Sequence, residues 1–191
     1  MFCFGFDSNN TPQPVFAFIF DTKSNTFLAP GPYGQYIPAF TIKSSPKTKP
    51  NMTVYRIGQN GSMMIGTCTT RTSSLSGNVY AEVSLYGRSF KMKHDQLTGS
   101  SSQKFEYPSL GSFKWKPDLK GELRLFDGNG QLLARWQKSG QNQKLDFYVS
   151  GQGELVDMVV VTALAAMDFQ HKEGKQVEEV MDALDVISAL S

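Results

Sequence analysis

The chain has 191 residues, 40% hydrophobic and 12% aromatic, enough to bury one substantial core and no reason to divide it into two folding units. The net charge of +2 hides an asymmetry: residues 1–153 carry 17 Lys and Arg against 9 Asp and Glu, hence +8, while 154–191 carry 2 against 8, hence −6. The basic body points to an anionic partner, and two cysteines, Cys3 and Cys68, are too few for a disulfide framework.

Residues 1–7 have neither a basic n-region nor a long apolar h-region, so no secretory signal is predicted. The thiols are then expected reduced, the sequons at Asn51 and Asn60 unused, and the location cytoplasmic, with peripheral membrane attachment compatible. The first strand is expected at 15–20, Val-Phe-Ala-Phe-Ile-Phe, with 26–28 as its hairpin partner. Five prolines and two glycines between 30 and 50 predict a loop around one short strand at 39–42. Strands resume at 53–57, and Asn60-Gly61 turns the chain into another at 63–68.

Strict alternation at 78–86 places Val79, Ala81, Val83 and Leu85 on one face. The next strand, 88–93, directs Phe90 and Met92 one way and Lys91 and Lys93 the other. A polar loop follows, with room for a short strand at 104–107. Phe113-Lys-Trp-Lys116 then repeats the arrangement, with Lys114 and Lys116 outward. Strands at 121–126, 131–136 and 144–149 complete a series of ten to twelve.

The segment 154–169 is different in kind. From Leu155 to Met167 only Asp157 and Thr162 are polar, so apolar side chains cover every face, the pattern of a helix enclosed on all sides. Thirteen residues at about 1.5 Å each reach roughly 20 Å, short of a membrane span. Glu154 and Asp157 suit the positive end of its dipole. The predicted fold is mostly β: a closed antiparallel β-barrel of about twelve strands around this buried helix, because closure removes sheet edges and supplies an apolar lining. A charged break at 170–174 is expected to separate it from a short amphipathic helix, whose acidic face carries Glu178, Glu179, Asp182 and Asp185. The organisation is therefore a barrel over 1–170 followed by an acidic helical extension over 171–191.

Enzymatic chemistry has no visible constellation. Asp127-Gly-Asn-Gly130 begins like a calcium loop, but position twelve is Lys138 instead of a bidentate carboxylate, so a hairpin turn is expected. Gly151-Gln-Gly153 lacks the third glycine and the βαβ unit of a dinucleotide site. His94 and His171 lie outside any metal-ligand spacing. No metal, cofactor or catalytic residue is assigned. The candidate site is a basic patch formed by Arg88, Lys91, Lys93, Lys114 and Lys116, provided their strands are neighbours; outward lysines also serve simply to solubilise and protect strands. Nucleic acid is disfavoured, since no recognition helix or aromatic ladder accompanies the charge.

From Trp115 onward the chain resembles the tubby C-terminal-like superfamily, which includes phospholipid scramblases and LURP-one-related proteins, and is closest in character to uncharacterised fungal members. The resemblance rests on Trp115-Lys-Pro117, Glu122-Leu-Arg-Leu125, 127–136, Leu145-Asp-Phe147 and 155–164. It implies a twelve-stranded barrel around a hydrophobic helix, and a lipid ligand. The expected function is non-enzymatic binding of anionic membrane phospholipids or phosphoinositides. The alternatives are a protein-interaction scaffold acting through 176–190, or a small-molecule-binding barrel or enzyme with a pocket at a barrel mouth. Oligomeric state is left open.

Overall fold

A computed structural model describes residues 12–45, 47–72, 79–94, 102–118, 120–139, 142–151 and 153–189, with side chains excepted at 138, 139, 142 and 173–189. Cys3, residues 1–7 and the acidic side chains expected on 176–190 lie outside what is described. Twelve strands precede one helix: β1 (Phe16–Asp21), β2 (Thr26–Pro30), β3 (Tyr36–Ser44), β4 (Met52–Gly58), β5 (Gly61–Thr72), β6 (Val79–Leu85), β7 (Arg88–His94), β8 (Gln103–Tyr107), β9 (Gly111–Pro117), β10 (Leu123–Asp127), β11 (Leu132–Ser139), β12 (Asn142–Phe147) and α1 (Glu154–Ala189). Each strand pairs antiparallel with its neighbours in sequence, and β1 closes on β12 through Phe16↔Phe147 to Phe20↔Gln143. The barrel is closed and up-and-down, so no sheet edge is exposed.

The closure puts alternate turns at opposite ends. At the near mouth, where β12 hands the chain to α1, lie the turns 31–35, 59–60, 86–87, 108–110 and 128–130. The far mouth carries the other connections. Helix α1 enters at the near mouth and fills the barrel: residues 156–166 are all buried, as is Phe169. Trp115, Leu125, Phe27, Phe147 and Leu145 line the wall around it with 0% exposure, the inward halves of the alternating strands. The helix's two polar residues are both partnered. Thr162 Oγ1 accepts from Trp115 Nε1 at 3.1 Å and donates to the Met158 carbonyl at 2.7 Å, while Asp157 pairs with Arg56 at 2.5 Å.

Two local expectations are corrected. The stretch expected to be mostly loop holds the nine-residue β3, Pro38 included. The register shifts between Phe27 and Leu28, with Phe27 opposite Phe40 and Leu28 opposite Pro38, so the proline sits at a bulge where a ladder donor is dispensable. Second, α1 continues as one helix through 170–174 to Ala189, with no break before a separate short helix. A glycine inside a helix costs only about 1 kcal/mol, and the Lys, Glu and Gln around Gly174 are good helix formers. Among the described residues no helix is long and apolar enough to cross a membrane.

Candidate functional site

The lysines are brought together by parity and register. On β7 Phe90 and Met92 turn inward and Lys91 and Lys93 outward; on β9 Phe113 and Trp115 are buried, so Lys114 and Lys116 face out. Strand β8 lies between them, with Lys104 outward and Phe105 and Tyr107 buried. The register then runs Tyr80↔Lys93, Lys93↔Lys104, Lys104↔Lys114 and Lys114↔Phe126. Three lysines thus face one another on successive strands, about 4.8 Å apart, between two aromatic residues. Lys91 lies one pleat along the same face, its Nζ 5.6 Å from the Tyr80 ring centroid, and Lys116 Nζ is 5.1 Å from that of Phe126. An open groove of ≈ 770 Å³ runs here, reached by Lys91, Lys93, Lys104 and Lys114, with Glu106 and Asp127 also on its lining.

Like charges directly opposite across strands are destabilising. A second row, Lys116↔Arg124↔Arg135, also opposes cations, with Arg124 bonding Asp118 at 3.0 Å and Arg135 bonding Glu122. The lysine row is the concentration of positive charge on β7–β9. Lys104 lies on the short strand expected at 104–107; the alternation Gln103-Lys-Phe-Glu-Tyr107 turns it outward, and only the register sets it between Lys93 and Lys114.

Arg88 does not belong to this wall. It shares inward parity with Phe90 and Met92, and at the first position of β7 that parity aims it at the near mouth. There its Nη1 bonds Glu154 at 3.0 Å and Ser109 at 3.1 Å. Tyr107 donates its hydroxyl to the same Glu154, Tyr86 donates to Asp157, and Arg56 pairs with Asp157. The acidic first turn of α1 is held by two arginines and two tyrosines, well beyond a dipole interaction. Burial raises the Asp157 carboxyl above its ordinary range, with Tyr86 and Arg56 pulling it back in part.

Other sequence features take structural roles. Asp127 Oδ1 accepts from the Asn129 and Gln131 backbone N–H groups at 3.0 and 2.8 Å, closing the β10–β11 turn. Cys68 is buried, and burial pushes its thiol up to about 12, far from a thiolate nucleophile. His94 packs edge-on to Phe169 with centroids 5.9 Å apart; His171 is exposed. Among the described residues no group of three or more His, Cys, Asp or Glu is placed to hold a metal ion.

Comparison with curated proteins and with solved structures returned no match. Residues 21–172, from the last residue of β1 to the point where α1 leaves the barrel, match a family of unknown function, DUF6593. The chain belongs to that family.

Proposed function

We propose that this barrel is a binding module for anionic phospholipid headgroups, phosphoinositides included, acting at a membrane surface as a peripheral protein. The observation that carries the reading is the row Lys93, Lys104, Lys114, with Lys91 and Lys116 beside it. Phosphate oxygens seated among these convergent ammonium groups accept several charge-assisted hydrogen bonds at once. The resemblance of 115–164 to tubby-like proteins supports the same class of ligand.

The test is sedimentation with phosphatidylcholine vesicles, plain or doped with phosphatidylserine. Each lysine near an anionic surface contributes about 1 kcal/mol, so Lys93→Ser, Lys104→Ser and Lys114→Ser together weaken binding by about a hundredfold. Binding of the parent falls as salt rises, since exposed charges are screened over about 10 Å at 0.1 M. A parent that ignores the anionic lipid, or a triple variant that binds like it, removes the assignment.

A further inference from the structure

The exposed large apolar side chains are not scattered. All of those among the described residues lie at or beside the near mouth. Tyr33, 91% exposed, tops the 31–35 turn, and Tyr36 and Ile37 begin β3 beneath it. Met63 and Met64 flank the β4–β5 turn, both exposed although consecutive, because the register shift between Val54 and Tyr55 makes Ile65 the extra residue. Leu110 stands on the 108–110 turn. Val15 precedes β1 at the same end; Tyr86 is already held by Asp157 and is left aside.

The five near-mouth turns contain no Lys, Arg, Asp or Glu, and the charges beside them are the Arg88–Glu154 and Arg56–Asp157 pairs and the turn-closing Asp127; the far-mouth connections include Lys23, Lys47, Lys49, Asp118, Lys120 and Glu122. Single surface apolar residues need no explanation, but the gathering of all the described ones at one end of the barrel points to an interaction surface. The tips stand on separate turns, a convex crown that suits a deformable interface better than a groove. Tyrosine and methionine suit such an interface, being amphipathic and adaptable respectively.

Behind the crown comes the cationic band. Lys91, Lys104 and Lys114 each lie three residues from the near-mouth end of their strands, at Arg88, Tyr107 and Gly111. At about 3.3 Å per residue that is roughly 10 Å along the strand, within reach of phosphates in the headgroup layer when the tips enter it. Apolar tips followed by cations reproduce the layering of an anionic bilayer. We infer that the near mouth is the face that enters the membrane interface, with Tyr33, Met63, Met64 and Leu110 inserted among the lipids, Lys91, Lys104 and Lys114 at headgroup depth, and Lys93 and Lys116 one pleat further back. The inference rests on the lipid reading above and adds the orientation and an apolar contribution to binding.

The full-length Tyr33→Trp variant reports insertion, because Trp115 and Trp136 are buried and the new indole supplies the exposed emission. On phosphatidylserine-containing vesicles its emission is expected to move to shorter wavelength and to be quenched by brominated lipid. Adding Met63→Ser, Met64→Ser and Leu110→Ser leaves the melting temperature near the parent's, since these side chains are exposed, and weakens vesicle binding by about tenfold or more. Sedimentation without an emission change, or with the serine crown binding like the parent, overturns the inference and leaves the lysine site standing. An emission change that survives in the triple lysine variant, with undiminished binding, sinks the lysine site and keeps the crown. If raising protein concentration alone shifts the emission and doubles the sedimenting mass, a second copy covers the mouth and the inference fails. No vesicle association of any kind removes both.

Discussion

At the residue scale a constrained position is Tyr86, which with Asn25 is a non-glycine residue at φ 51°, in the corner between β6 and β7. Left-handed backbone is unfavourable for a residue with a Cβ, and the compensation is the hydroxyl, which donates to the buried Asp157. Burial, then that hydrogen bond, pushes the phenol up to about 12 from an ordinary value of 10.0. A folded value above the unfolded one means that the native state holds the proton more tightly. The associated stability is fully present below pH 10 and is lost as pH rises towards 12. Tyr86→Phe therefore lowers stability at neutral pH by about 1–3 kcal/mol and flattens the alkaline limb of the melting temperature. Thermal melts of both proteins between pH 8 and 12 check this; parallel limbs would assign the alkaline loss to other groups.

At the element scale the tightest junction is β5 against β6 and α1. A Cβ built on Gly66 would lie 2.7 Å from the Ser84 carbonyl oxygen and 3.1 Å from Val161 Cγ2. The first neighbour is backbone and cannot swing away. Gly66 is there because the β6 backbone comes this close, with Val161 of the helix next to it, an example of a strand glycine marking close approach. Gly66→Ala is expected to cost about 1–3 kcal/mol through overpacking, read as a lower denaturation midpoint in urea. An unchanged midpoint would mean that β5 moves away from β6 and α1 without cost.

At the scale of the whole molecule the described core runs along the helix as far as Phe169. Phe169 is the last buried residue described, and Lys172 Nζ caps the exit by donating to the Thr70 carbonyl at 3.1 Å and pairing with Asp168 at 3.0 Å. A chain terminated after Lys172 keeps every described core contact and is expected to unfold cooperatively within about 1 kcal/mol of the parent. Circular dichroism with urea titration decides it: an unfolded product would make 173–189 part of the core. The same boundary closes the family match at residue 172.

How much was legible in the chain divides along the range of the forces involved. Alternation with period two is local, so the inward sets Val79–Ala81–Val83–Leu85 and Phe113–Trp115 could be read directly, as could the enclosure of a helix apolar on every face. Those patterns require closure because nothing else buries both the strand faces and the helix. Register is not local. That Lys104 stands between Lys93 and Lys114, that Arg88 leaves the wall to hold Glu154, and that Pro38 fits at a bulge all depend on how distant strands slide against one another. The apolar crown is likewise invisible in the linear order, since its members span residues 15 to 110 and share one end only because an up-and-down barrel sends alternate turns there. The sequence by itself determined which faces are apolar and that a helix must be wrapped; the tertiary structure alone decided which charges face each other, through the cross-strand pairing that closure imposes.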